Sequence, residues 1–208
     1  MSEVFVCLTI GYLVGCINPA WIISKIKNAD LRQMGTENLG ATNAFMILGK
    51  GTGVFIMLFD ILKAFVIVKI SRMLFPLFAA AGVITGSAVI IGHIFPFYLG
   101  FRGGKGLACL GGTVLGLDWK LFFPLLFIGI TAALITNYAC ALPISAATLF
   151  PIIYSVRTQS MEYFFIMLIS SICICFKHLE NIRRIRSGTE MSIREFFARD
   201  RSDEISEI

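Results

Sequence analysis

The sequence predicts an all-α integral membrane protein, a compact bundle of about seven transmembrane helices with the N-terminus outside and the C-terminus cytoplasmic. Composition is the first observation. The 208 residues are 57% hydrophobic and 15% charged, with a mean hydropathy of +0.82, whereas a soluble domain is about half apolar and about a quarter charged. Nineteen Phe stand against thirteen Asp plus Glu, more apolar surface than so short a chain can fold into one water-soluble core. The second observation is that the apolar residues fall in long runs. The third is that Lys and Arg crowd into the gaps on one side of those runs. A soluble enzyme, a disulfide-knotted secreted domain and a disordered tail are excluded.

A crossing helix needs about 20 mostly apolar residues. The first run covers residues 4–24 and is followed by a polar stretch over 25–50. The second covers 53–70 and the third 76–99. Gly100-Phe101-Arg102-Gly103-Gly104-Lys105-Gly106 then leads into a short apolar run, 107–117. Residues 121–138 and 139–156 are adjacent spans with almost no loop between them, and 163–176 is the last. The chain is polar from Lys177 onward; residues 1–190 read as the membrane domain and 191–208 as a polar cytoplasmic tail. Seven crossings result if 107–117 spans, six if it re-enters.

Charge placement favours seven. With the N-terminus outside, the inner segments hold Lys25, Lys27, Arg32, Lys50, Arg102, Lys105 and seven basic residues of the tail, thirteen in all. The outer segments hold only Lys69, Arg72, Lys120 and Arg157, and Lys63 falls within a span. The net charge of +5 therefore reports membrane orientation rather than a nucleic-acid partner. Cys7, Cys16, Cys109, Cys140, Cys173 and Cys175 form no C-x-x-C and no zinc spacing with histidine. They read as small apolar side chains. Ser2-Glu3 gives no basic n-region, so the first run reads as a retained helix rather than a signal peptide.

All three polar segments share the predicted cytoplasmic face. The first contains Gly35-Thr36-Glu37-Asn38-Leu39-Gly40-Ala41-Thr42-Asn43. Its glycines permit turns that aim N–H groups at one anion, and its Thr and Asn add neutral donors; a plain turn-rich connection is the alternative. In the second, His93-Ile94-Phe95-Pro96 closes one span and Gly103-Gly104-Lys105-Gly106 opens the next. Glycines, a lysine and a helix N-terminus suit a phosphate, although a basic inner loop needs no ligand. It is not a Walker loop, because Leu99 and Gly106 stand where Gly and Ser or Thr are required. The third runs from Lys177-His178 through Asn181, Arg183 and Arg184 to Gly188-Thr189-Glu190. Its arginines also suit lipid phosphates. Neither histidine opens an H-x-x-x-x-D pair, since Tyr98 and Arg183 occupy the fifth positions. Asp60 and Lys63, three apart inside the second span, are expected to pair, because an unpaired charge there is costly.

Together these segments resemble the bacterial acyl-phosphate-dependent glycerol-3-phosphate acyltransferases, the PlsY family. A motif of the form G-S-G-N-P-G-A-T-N-x-x-R is met by Gly35, Asn38, Gly40, Ala41, Thr42 and Asn43. One of the form G-H-x-F-P then F-x-G-G-K-G is met by Gly92, His93, Phe95, Pro96, Phe101, Gly103, Gly104, Lys105 and Gly106. One of the form H-x-x-N-I-x-R then G-T-E is met by His178, Asn181, Ile182, Arg184, Gly188, Thr189 and Glu190. The first motif departs at Thr36 for Ser, Glu37 for Gly, Leu39 for Pro and Met46 for Arg.

The resemblance implies a bundle of seven membrane helices in the bacterial plasma (inner) membrane, with a cytoplasmic active site. It implies transfer of a fatty acyl group from acyl-phosphate to the sn-1 hydroxyl of glycerol 3-phosphate, giving lysophosphatidic acid and phosphate in phospholipid biosynthesis. Functional coupling to the enzyme that makes acyl-phosphate is also implied, and no metal or other cofactor is expected. Carried onto this chain, the catalytic set is Thr36, Lys105, His178 and Asn181. The substrate-binding set is Gly35, Asn38, Gly40, Thr42, Asn43, His93, Gly103, Gly104, Gly106 and Glu190. Glu37 and Met46 leave two alternatives: a different acyl acceptor, or a non-catalytic membrane paralogue.

Overall fold

The structure, a computed structural model, describes residues 2–198. Among the described residues there is no strand, and eight α-helices of eight or more residues carry the fold. They are α1 (Ser2–Cys16), α2 (Pro19–Ile26), α3 (Ala41–Leu48), α4 (Lys50–Leu74), α5 (Ala81–Ile94), α6 (Leu107–Thr136), α7 (Ala141–Thr158) and α8 (Met161–Arg186). Among the described residues four stretches are by themselves long and apolar enough to cross a membrane: Ser2–Ile26, Ala81–Leu99, Leu107–Thr136 and Met161–Arg186.

The boundaries depart from the sequence expectation in four places, each for a local reason. The run expected over 4–24 is two helices. Pro19 has no N–H to continue α1, and Asn18 caps α2 by accepting from the Trp21 N–H at 2.9 Å. The polar stretch over 25–50 contains α3, which starts at Gly40 with no side-chain cap. The run expected over 76–99 is helical only from Ala81 to Ile94, and a 3-10 turn at Phe97–Leu99 follows Pro96. The polar chain after Lys177 stays helical to Arg186, with Arg183, Arg184 and Arg186 in the last turn, where cations favour the helix dipole.

Close glycine contacts fix which helices run together. A side chain at Gly11 would meet Thr85 and Ala88, and one at Gly15 would meet Val89 and Gly92, so α1 and α5 are parallel. Gly112 abuts Ile61 and Ala64, and Gly116 abuts Val68, so α4 and the first part of α6 are parallel. Gly82 lies against Leu117, Gly86 against Thr113 and Gly106 against Ile94, so α5 is antiparallel to that part of α6. Small residues let membrane helices approach this closely. α5 lies at the centre, with Val83, Val89, Ile90 and Ile94 buried in a core shared with Val68, Leu110, Val114, Phe150 and Ile174.

α6 is not straight. Asp118 has an extended backbone (φ −154°, ψ 96°), and the chain folds back there so that Phe122 lies beside Gly111. Arg72 donates to the carbonyls of Gly116 and Leu117, each at 3.1 Å, and so closes the end of the first part. Asp118 caps the second part by accepting from the Lys120 N–H at 3.0 Å. The second part ends at Asn137, whose carbonyl accepts from the Ile193 N–H at 2.9 Å. Ile193 is three residues from Glu190, which bonds to Asn181 on α8; residues 119–136 therefore run back toward the end of the bundle that carries Lys105. Residues 193–198 are helical and dock there too, with Phe196 against Phe45 at 5.9 Å between centroids. Residues 199–208 of the expected tail lie outside the described residues.

Candidate active site

The first polar segment is built around one side chain. Asn43, fully buried on α3, accepts from the Thr36 N–H at 2.8 Å through Oδ1. Its Nδ2 donates to the carbonyls of Leu31, Met34 and Asn38 at 2.8, 3.0 and 3.0 Å. Gly35 turns in the left-handed region (φ 60°), where a Cβ would collide with Asn43 Oδ1. Asn43 thus holds the loop rather than facing outward, while Thr36 and Asn38 are half-buried and Thr42 is exposed. Gly40 begins α3 without a side-chain cap, so the first-turn N–H groups of that helix face the loop unmet by a cap. Glu37 is exposed with φ 54°, and Met46 is half-buried on α3. The loop is tied to the rest of the bundle by Asn18, whose Nδ2 donates to the Leu39 carbonyl at 3.4 Å.

The second and third segments meet directly. Lys105 Nζ donates to Asn181 Oδ1 at 2.6 Å, and Asn181 Nδ2 donates to Glu190 Oε1 at 2.5 Å. Glu190 Oε2 accepts from Arg184 Nε at 2.7 Å, and Arg184 Nη1 pairs with Glu180 at 2.8 Å. Lys105 stands at the N-terminus of α6, which Gly106 (φ 90°) begins with no side-chain cap. Burial, and then the Arg184 guanidinium, push the Lys105 ammonium below its ordinary pKa. A bound anion would relieve that strain on its charge. His178 is buried on the same face of α8, one turn from Asn181. Its Nδ1 lies 2.8 Å from the Ile174 carbonyl, so Nδ1 is the donor and Nε2 is left as the acceptor.

Gly103 and Gly104 differ from the phosphate-nest expectation. Their N–H groups donate to the carbonyls of Ile94 and His93, at 3.0 and 3.1 Å. A Cβ at Gly104 would strike the His93 ring, and one at Gly103 the His93 carbonyl. These two glycines let the loop lie flat on the end of α5. The donors left available to an anion beside that loop are Lys105 and the uncapped first turn of α6. His93 is 3% exposed beneath that loop.

His93 belongs to a second, deeper cluster. Lys63 and Asp60 pair at 2.6 Å, as their i,i+3 spacing predicts, and Asp60 Oδ1 is 3.4 Å from His93 Nδ1. Lys63 Nζ also lies 3.3 Å from His93 Nδ1 and donates to the carbonyls of Gly15 and Ile17 at 3.2 and 2.6 Å. Asp60, His93 and Cys109 bring ligating atoms within 4.8 Å of one another. The Lys63 ammonium already contacts the carboxylate and the imidazole, so a cation is in place without a metal.

Arg184, a match to the third motif, and Asn18 carry no site role in the sequence reading, and the structure ties both to the site. Arg184 bridges Glu190 and Glu180; its i,i+4 spacing from Glu180 was the available signal. Asn18 precedes a proline, a cap signature within an apolar run.

Comparison with known proteins matches residues 5–188 to the family model described as Glycerol-3-phosphate acyltransferase. A protein of that name from Thermoanaerobacter sp. (strain X514) is 36% identical over 185 residues, covering 88% of this chain and 92% of its own. One from Macrococcus caseolyticus (strain JCSC5402) is 37% identical over 199 residues, covering 92% and 97%. The crystal structure of PlsY (YgiH), an integral membrane glycerol 3-phosphate acyltransferase, in its glycerol 3-phosphate form superposes with a TM-score of 0.84 at 30% identity, covering 92% of this chain and 96% of that one. Its lysophosphatidic acid form gives a TM-score of 0.81.

Proposed function

This chain belongs to the glycerol-3-phosphate acyltransferase family, and we propose that it transfers a fatty acyl group from acyl-phosphate to the sn-1 hydroxyl of glycerol 3-phosphate. The products are lysophosphatidic acid and phosphate. The observation that carries this reading is Lys105, half-buried at the uncapped N-terminus of α6 and oriented by Asn181 at 2.6 Å. An ammonium beside unmet helix N–H groups is a site for a phosphate. The uncapped N-terminus of α3 at Gly40 supplies a second, and the reaction needs two.

Acyl-phosphate is an activated mixed anhydride, so no nucleophile from the protein is needed. The sn-1 oxygen attacks the acyl carbonyl carbon, the bond from that carbon to the phosphate oxygen breaks, and phosphate leaves with the electron pair. The hydroxyl proton passes to a phosphate oxygen. Lys105 offsets the charge growing on the leaving phosphate. Thr36, Asn38 and Thr42 hold the second phosphate, with Gly35, Gly40 and Asn43 shaping their loop. His178 Nε2 and Asn181 orient the acceptor, and holding the reactants in line supplies much of the acceleration. Glu190 fixes Asn181. Gly103, Gly104, Gly106 and His93 set the height of the Lys105 loop. The excess of Lys and Arg around the polar segments supports seven crossings with the site on the cytoplasmic face of a bacterial plasma membrane, where an acyl-phosphate-forming enzyme would deliver its product.

The test uses purified protein with palmitoyl-phosphate, following phosphate release with and without glycerol 3-phosphate. Release that depends on glycerol 3-phosphate and yields lysophosphatidic acid is expected. A second reading, a different acceptor, is favoured by exposed Glu37 and by Met46 where the family motif carries Arg. A thioether replaces no guanidinium, and a lost charge-assisted bond is worth about 1.5–3 kcal/mol. Met46→Arg separates the two: a silent wild type whose Met46→Arg variant is active has a diverged acceptor site.

A further inference from the structure

Lys63 is not part of the chemistry proposed above, yet its surroundings connect both of the loops that carry it. Pro19 has no N–H, so the Gly15 carbonyl, four residues earlier, loses its helical donor. The Trp21 N–H is given to Asn18 Oδ1 at 2.9 Å, which leaves the Ile17 carbonyl without its own. Buried carbonyls left unmet are costly. Lys63 Nζ supplies both, at 3.2 and 2.6 Å. The residue next to Ile17 is Asn18, which holds the first polar loop through Leu39.

On its other side, Lys63 touches His93 Nδ1 at 3.3 Å. The His93 carbonyl receives the Gly104 N–H at 3.1 Å, and its ring is the floor against which Gly104 is packed. Gly104 adjoins Lys105. Asp60, 2% exposed, faces both Lys63 and His93. One buried ion pair therefore spans from the break between α1 and α2 to the end of α5. The Tyr98 hydroxyl, donating to the Cys16 carbonyl at 2.7 Å, strengthens the same joint.

We propose that Lys63, held by Asp60 and His93, is a positioning residue that fixes the spacing between the 31–43 loop and the 100–106 loop, and thereby between the two bound phosphates. The kinetic part of this rests on the reaction proposed above; the structural part does not. The ammonium reaches neither loop's surface and binds no substrate. It acts through His93 on one side and through the Gly15 and Ile17 carbonyls on the other.

The test is the double variant Asp60→Asn/Lys63→Met, which removes the link without leaving a buried charge alone, compared with wild type in detergent. Its fold is checked by size-exclusion and thermal unfolding. Backbone hydrogen exchange is then read over 31–43 and 100–106. Exchange is expected to rise in both loops together, and kcat to fall about tenfold or more while KM for each substrate stays within about threefold, the signature of lost alignment with binding retained. Single Lys63→Met is compared only for yield. Unchanged exchange in the two loops overturns the proposal whatever the activity, and so does a double variant that keeps wild-type kcat. Raised KM with unchanged kcat also overturns it. A wild type with no turnover on glycerol 3-phosphate sinks the reaction proposed above instead, and exchange then decides on Lys63 alone.

Discussion

Lys63 and Lys105 lie near the same end of one bundle, and their environments are opposites. Lys63 is 8% exposed, and its ammonium is surrounded by Asp60, His93 and the carbonyls of Gly15 and Ile17. Lys105 is half-buried and, among the described residues, makes one hydrogen bond, to Asn181. Nearby, Arg184 Nη2 is buried without a partner among the described residues. A saturated ammonium has nothing left to offer a ligand and serves the fold. An ammonium with donors to spare, beside a helix N-terminus, serves an anion. The contrast separates structure from chemistry among the cations of this chain more clearly than exposure alone would.

The largest effect should come from breaking the saturated lysine. Lys63→Met takes the ammonium from Asp60 and leaves its carboxylate with only His93 beside it in a low-dielectric core, which costs about 3–5 kcal/mol. Denaturation in detergent, or the yield of folded protein, reads this. If the Asp60→Asn/Lys63→Met pair is no better folded than Lys63→Met alone, the cost is not the stranded carboxylate and the contrast fails on that side. Lys105→Ala should do the reverse. Loss of charge stabilisation at the leaving phosphate lowers kcat about 100-fold to 1,000-fold, with a melting temperature within a few degrees of wild type. Wild-type-like turnover in Lys105→Ala removes the phosphate site assigned to it.

Glu190→Gln is a smaller change within the same network. It weakens the hold on Asn181 and Arg184, and about a tenfold loss in kcat is expected. It also has a pH signature. Transfer needs Lys105 protonated, so activity is full at lower pH and falls as pH rises through the pKa of that ammonium. Burial and Arg184 set that pKa below the ordinary lysine value, while Glu180 and Glu190 act to raise it. Neutralising Glu190 therefore moves the alkaline fall to lower pH. A pH–rate profile that is unmoved in Glu190→Gln assigns the fall to another group.

How much of this could be read without coordinates depended on whether the interaction was local. The membrane class, the apolar runs and the three polar segments were legible because composition and run length are properties of the chain itself. The Asp60–Lys63 pair was legible because i,i+3 places two side chains together on any helix. The inward direction of Asn43 was not: nothing in Gly-Ala-Thr-Asn distinguishes an amide that binds a ligand from one that holds three carbonyls of its own loop. Gly103 and Gly104 were read as anion donors because glycine permits that, whereas the close approach of His93 from a different helix is what requires glycine there. The bridge of Glu190 to Asn181 and Lys105 joins residues 76 and 9 apart in sequence, beyond any periodicity. The fold-back at Asp118 left a real ambiguity between a spanning and a re-entrant 107–117, since a single residue with strand-like angles carries little sequence signal.

That fold-back supplies the control for the contrast, at the end of the bundle away from both lysines. Asp118 pairs with Arg157 at 2.6 Å and caps residues 119–136 through Lys120 N–H. Arg157 is about half exposed, at 48% of its side chain, so solvent screens the pair and its worth is under about 1 kcal/mol. Asp118→Asn keeps an oxygen for the cap and removes only the charge. The expected outcome is a melting temperature lowered by a few degrees at most, with kcat and both KM values within about twofold of wild type. The pair is also sensitive to salt, so the small difference should shrink further at high ionic strength. A large loss of activity in Asp118→Asn would mean that the two ends of the bundle are coupled, and that the division between a structural and a chemical lysine is not a division of the molecule by place.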